Sequence, residues 1–129
     1  MNKKRGYYTA KIGGKQRTLR FNMNFWAEFT DNLGISLGDL GSIFQKGISI
    51  SSIRALVYCG LITFDREQGN EIDYNIYTVG SWLDDFDAQK IEDVVNAMMQ
   101  SKILGNELNM GIQRNEDPKN QTQKKSQPN

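Results

Sequence analysis

The residues with the most potential for chemistry are three clustered carboxylates, Asp84, Asp85 and Asp87. Such a group could serve as an acid–base pair or hold a divalent cation. Neither a D-x-D-x-D-G loop nor the spacing of zinc ligands accompanies it. The carboxylates also precede a stretch of helical periodicity, where negative charge suits the helix dipole. We therefore interpret them as charge at the start of a helix.

Two further candidates for a chemical site are better explained by ordinary structural roles. Cys59 is the only cysteine, and it lies in the apolar run 55–61, where a buried thiol behaves as a small hydrophobic group. Ile12-Gly13-Gly14-Lys15 resembles part of a phosphate loop but lacks the second Gly-Lys-Ser/Thr element. The chain has no histidine, the commonest general base and metal ligand. We expect a protein that is not an enzyme and uses no cofactor or metal.

Length and charge indicate one small domain. The chain has 129 residues and a net charge of +1, so no global field directs it to nucleic acid or an anionic membrane. We expect a flexible basic segment at 1–6, a single domain at 7–104 and a disordered polar tail at 105–129. Because the basic N-terminus is not followed by an apolar segment, we expect a cytoplasmic location.

The first predicted element is a β-hairpin from Tyr7 to Phe21. Gly13-Gly14 supplies the positive φ angles of a two-residue turn, which places Tyr8 opposite Leu19. A lone hairpin is marginal in water, so its apolar face must be covered by helices or by a partner strand. We expect a role in self-association for these residues: Tyr8, Ala10, Ile12, Leu19 and Phe21.

After Asn22 the apolar period becomes helical and predicts about five short helices. The fold class is therefore mainly α (α+β), an N-terminal hairpin followed by a helical bundle. The expected helices start at Asn22 or Asn24, Ser36, Ser49, Tyr74 and Asp87, and the first four end at Gly34, Gly47, Gly60-Leu61 and Leu83. Residues 62–72 are expected to form an exposed polar loop.

Two kinds of binding surface remain open. The basic hairpin with Tyr7 and Tyr8 could follow a phosphate backbone, although such charges also discourage edge-to-edge strand pairing. The second and third helices could imitate a helix-turn-helix, but the would-be recognition helix has only Arg54 as a basic residue. We favour a protein-binding surface of flexible or aromatic side chains, since methionines suit surfaces that repack around partners. The candidates are Trp82, Met99, Leu104 and Met110.

The order of these motifs resembles the tail assembly chaperones of siphovirus-type phages and their prophage and gene-transfer-agent relatives. The resemblance covers residues 7–104 and is most specific in R-A-L-V-Y-C-G-L (54–61) and V-G-S-W-L-D-D (79–85). It implies a small, mostly helical protein without catalytic residues. Members bind the tape-measure protein, keep it soluble, promote polymerisation of tail-tube subunits around it and then leave the tail. Many also have a longer frameshifted form, which would extend from about residues 113–129.

Other functions stay open at this point. The chain could be a virion component such as a head–tail connector or scaffold subunit, or a small regulator that binds DNA through its basic hairpin. The resemblance implies protein partners, and because the sequence has no apolar run of 18 residues we expect no membrane span. It gives no oligomeric state and no binding site on the client.

Overall fold

A computed structural model describes residues 6–103 and 106–107. An antiparallel hairpin is followed by five α-helices, which confirms the predicted fold class. The strands and helices are β1 (Tyr7–Ile12), β2 (Lys15–Arg20), α1 (Met23–Leu33), α2 (Leu40–Gln45), α3 (Ile50–Gln68), α4 (Ile76–Trp82) and α5 (Ala88–Met99). Short 3₁₀ turns, Leu37–Asp39 and Leu83–Asp85, precede α2 and follow α4. None of the described helices is both long and apolar enough to cross a membrane.

The hairpin has the predicted register. Ile12 lies opposite Lys15 and Tyr8 opposite Leu19. Gly13 and Gly14 both have positive φ, of 64° and 90°, as a two-residue turn of this kind requires. This register directs the apolar side chains of alternate residues toward the helices, and Leu19 is fully buried.

The first two helical segments begin and end where their capping residues predict. Asn22 caps α1 by accepting a hydrogen bond from the Phe25 amide at 3.1 Å, and Gly34 ends the helix in a left-handed conformation. Ser36 and Asp39 form the predicted capping box. These local hydrogen bonds satisfy backbone groups at the helix ends that would otherwise lack partners.

The third helix corrects one sequence prediction. Gly60-Leu61 does not end α3, and residues 62–68 are helical rather than part of an exposed loop. The helix ends at Gly69, which adopts the left-handed conformation with a φ of 75°. Leu61 and Ile62 are buried, so the helix continues because its next turn still contributes to the core.

Gly60 serves close packing instead of helix termination. A Cβ atom at Gly60 would lie 2.9 Å from the Cβ, Cγ and Cδ2 atoms of Leu19, nearer than real Cβ contacts. The missing side chain therefore lets β2 lie directly against α3. The same helix also contacts α1, α4 and α5, which makes it the central element of the domain.

A polar cluster reinforces the join between the hairpin and the helices. Glu67, near the end of α3, accepts hydrogen bonds from Asn22 at 2.7 Å and Asn24 at 2.9 Å. The Nε atom of Arg20 lies 3.6 Å from the same carboxylate. These contacts, led by the Asn24 hydrogen bond, lower the pKa of Glu67. The start of α1 is therefore tied to the end of α3.

The last helices are close to their predicted positions. Asp87 caps α5 by accepting a hydrogen bond from the Lys90 amide at 2.8 Å. Helix α4 begins after the cap Asn75 and not at Tyr74 as predicted, because the Tyr74 side chain is part of the core. Tyr74 is buried and donates a hydrogen bond to Asp65 at 2.6 Å. Beyond α5, residues Lys102–Ile103 pair with Asn106–Glu107 in a short antiparallel ladder that the sequence did not predict.

The Gly60–Leu19 contact gives the first testable prediction. Alanine normally stabilises a helix interior by about 1 kcal/mol relative to glycine. We expect Gly60→Ala to do the opposite and to lower the free energy of unfolding by about 1–3 kcal/mol, because its methyl group overpacks against Leu19. Urea denaturation followed by circular dichroism measures the change.

Gly38→Ala is the matched control. The nearest atom to a Cβ at Gly38 is the Ser36 Oγ at 3.9 Å, and the residue is exposed. This substitution should leave stability unchanged or slightly raised. A Gly60→Ala protein as stable as the control would contradict the proposed close packing.

Candidate partner-binding groove

The three clustered carboxylates Asp84, Asp85 and Asp87 occupy two different positions in the structure. Asp84 and Asp85 lie in the 3₁₀ turn after α4, whereas Asp87 caps α5. Among the residues that the structure describes, no group of three or more cysteine or acidic side chains is arranged to hold a metal ion. The described carboxylates therefore contribute to helix ends and to the surface.

Cys59 is completely buried in α3. Burial raises the pKa of its thiol to about 12, and the negative charge of Glu28 adds to this effect. Because the thiolate is the reactive form, a raised pKa makes a cysteine unreactive at neutral pH. Cys59 thus occupies the small hydrophobic position that its sequence context predicted.

The hairpin side chains proposed for self-association face this chain's own core. Three of them, Ile12, Leu19 and Phe21, are buried, whereas Tyr8 and Ala10 are half-buried and pack on the same cluster. Burial raises the pKa of the Tyr8 hydroxyl. The inward face of the hairpin is therefore occupied by the helices, and pairing with another copy would have to use the strand edge.

Trp82 covers the hairpin turn. A Cβ atom at Gly13 would come within 2.7 Å of three atoms of the indole. The Arg17 guanidinium lies 4.2 Å from the centre of the Trp82 ring, and the Tyr74 ring lies 5.5 Å away. The half-buried Trp82 thus helps to fix the turn against the end of α4.

The other partner-binding candidates are distributed over two regions. Met99 is half-buried at the end of α5 and packs against the core cluster. Leu104 and Met110 lie outside the described residues. Trp82 and Met99 lie outside the lining of a mostly apolar cleft on the described surface.

That cleft lies between the start of α3, helix α4 and helix α5, and we call it the α3–α4 groove. Its volume is about 540 Å³. Most of its accessible lining is apolar, with a small number of polar groups, a composition typical of binding sites. The lining residues are Ile50, Ile53, Arg54, Tyr77, Gly80, Ser81, Leu83, Asp84 and Ile91.

Two unusually exposed apolar side chains border the α3–α4 groove. Ile50 is 81% exposed and Tyr77 is 72% exposed, and both line the cleft. Scattered exposed apolar residues are common, but residues that meet around a concave apolar surface mark an interaction site. Ile50 has the helical spacing of the apolar residues Ile53, Leu56 and Val57, which favours a place in the core. Its place directly after the cap Ser49 was the signal that it could lie outside the core.

Arg54 and Gly80 shape the interior of the groove. A Cβ atom at Gly80 would lie 3.1 Å from the Arg54 Cδ, so glycine leaves room for the arginine stem to cross α4. This close packing explains why glycine occurs within α4, where it is normally less stable than alanine. The guanidinium carbon lies 5.3 Å from the centre of the Tyr77 ring, within the range of a cation–π contact.

A second cleft is polar and less suited to an apolar partner. It has a volume of about 440 Å³ and lies between β2 and the segment after α3. Its lining includes basic Lys15 and Arg17 as well as acidic Asp65, Glu71 and Asp73. Because charges of both signs line it, the cleft offers no single-signed surface for an anion or a cation.

Of these two clefts, the α3–α4 groove is the one suited to an apolar partner. It combines an apolar lining, exposed apolar side chains at its border and one cationic group. Comparisons with protein-family models, curated proteins and solved structures found no match for this chain.

The buried thiol gives the second prediction. At pH 8, Cys59 in the native protein should react with a disulfide reagent such as DTNB at least a hundredfold more slowly than in the urea-unfolded chain. Its raised pKa and burial both reduce the accessible thiolate. Release of the coloured thiol product measures the rate, and equal rates in both states would refute an inert Cys59.

Proposed function

We propose that this protein is a phage tail assembly chaperone whose α3–α4 groove binds helical segments of the tape-measure protein. It keeps that long client soluble, promotes assembly of tail-tube subunits around it and leaves the finished tail. The proposal places the protein in the cytoplasm of the bacterial host. Two independent observations support it, the sequence resemblance over residues 7–104 and the apolar groove.

The observation that carries the binding mode is the exposure of Ile50 and Tyr77 beside an apolar cleft. An amphipathic helix binds such a groove with side chains at i, i+3, i+4 and i+7. Fully burying one large apolar side chain contributes about 1.5–3 kcal/mol. The client helix would cover Ile50 and Tyr77 and place its own apolar side chains over Ile53, Leu83 and Ile91.

A small groove suits the reversible action of a chaperone. Association carries an entropic cost of at least several kcal/mol, so one short helix in one groove gives modest affinity. A long client with repeated amphipathic segments can nevertheless be coated by many copies. Each copy then dissociates on its own when tail-tube subunits compete for the client.

The third prediction tests whether the groove binds the client, by replacing two exposed residues that line the groove. The client is the very long, helix-rich protein encoded by a neighbouring gene. It is co-expressed with a tagged form of this chain, and the amount that is recovered with the tag is measured. We expect Ile50→Ser combined with Tyr77→Ser to lower the recovered client at least fivefold. The melting temperature should change little, because both side chains are mostly exposed.

Met23→Ser is the matched control, since Met23 is 50% exposed on α1 and does not line the groove. It should leave client recovery unchanged. A separate triple variant, Met99→Ser, Leu104→Ser and Met110→Ser, tests the surface suggested by the sequence. If only the triple variant loses the client, the groove is not the binding site.

The same proposal makes a prediction about finished particles. Mass spectrometry of purified phage should find the tape-measure and tail-tube proteins without this chain. Detection at the stoichiometry of a structural subunit would instead favour a head–tail connector or scaffold role.

A further inference from the structure

We propose that the α3–α4 groove selects client helices that carry an acidic side chain beside their apolar stripe, and that Arg54 binds this carboxylate. The inference rests on the proposed function, because it names the chemistry of the client segment. It depends on the environment of one guanidinium group.

The Nε atom of Arg54 is buried without a hydrogen-bond partner among the described residues. A buried donor left without a partner is costly, and arginine forms its strongest contacts with carboxylates, often through two parallel hydrogen bonds. Within the described part of the chain, Arg54 also has no ion pair. Because Arg54 lines the groove, a carboxylate that enters the groove can approach its guanidinium group.

The side chain of Arg54 is held in place by its surroundings. Gly80 accommodates its stem on α4, and Tyr77 lies beside its guanidinium. A side chain that is positioned before binding loses less rotational freedom when the partner arrives. Arg54 is therefore prepared to bind a carboxylate that enters along the groove.

The other charged residue of the lining, Asp84, is not paired with Arg54. It lies in the exposed 3₁₀ turn after α4. When an apolar helix fills the groove, water is displaced and the local dielectric falls. The attraction between Arg54 and a client carboxylate would then be stronger than that of an exposed surface pair.

The fifth prediction uses two synthetic peptides as probes. Each is an 18-residue amphipathic helix with leucines at i, i+3, i+4 and i+7, and its stripe is flanked by either glutamates or glutamines. Fluorescence anisotropy with the full chain should give about tenfold tighter binding of the glutamate peptide, in line with a charge-assisted hydrogen bond. Increasing salt should reduce this preference.

Arg54→Met should abolish the preference while keeping the apolar stem. Arg54→Lys should keep part of it, since lysine retains the charge without the planar fork. Arg66→Met is the control, because Arg66 is exposed near the other end of α3 and pairs with Glu28 at 2.9 Å. Circular dichroism melting establishes that each variant folds. If Arg54→Met does not fold, Arg54→Lys is used to test the peptide preference.

Several results would overturn the inference. These are equal binding of the two peptides, a preference that survives in Arg54→Met, or no binding of either peptide. Displacement of the probe by a synthetic peptide of residues 105–129 would assign the groove to the chain's own C-terminal segment. Dissociation of a homodimer by the probe, seen in analytical ultracentrifugation, would assign it to a second copy.

The two proposals can fail separately. If client recovery does not depend on Ile50 and Tyr77 but the peptides are still distinguished through Arg54, the groove is not the site of the tape-measure client and the acid-selective groove stands for another helical partner. If client recovery depends on the groove and the peptides bind equally, the function stands and the role of Arg54 is wrong.

Discussion

The fold depends on the close approach of a β-strand to the middle of a helix. Leu19 on β2 lies where α3 has no side chain, at Gly60, and this contact fixes the distance between the hairpin and the central helix. A two-stranded sheet is marginally stable by itself. Its apolar face is stabilised here because α3 also packs against α1, α4 and α5. The absence of a Cβ atom at Gly60 therefore determines how closely the β-hairpin packs against α3.

Much of this architecture could be predicted because it is encoded locally. The Gly13-Gly14 turn determines the hairpin register, and Asn22, Ser49 and Asp87 each cap the helix that follows them. Each of these signals acts over two to four residues and needs no knowledge of the rest of the chain. The sequence therefore predicted the fold class and most element boundaries.

The features that the sequence predicted wrongly or missed depend on tertiary packing. Gly60 resembles a helix stop in sequence, and only the position of Leu19 explains why glycine occurs within a continuing helix. The exposure of Ile50 and Tyr77 likewise depends on how α3 and α4 meet. The α3–α4 groove is formed by residues far apart in the chain, so no local pattern could indicate it. Trp82 lies over the protein's own hairpin turn, and its role in partner binding stays a prediction.

The contact between Trp82 and the Gly13 turn has a consequence for biosynthesis. The hairpin leaves the ribosome before the helices, so the helix beneath Leu19 and the indole that covers the turn are translated after it. Contacts between residues so distant in sequence form late, since the intervening chain must first be closed into a loop. During translation the nascent strands would thus remain unprotected until α4 has emerged. The exposed side chains Lys11 and Lys15 beside the turn are charged, and charges at a strand edge discourage edge-to-edge pairing of unprotected strands.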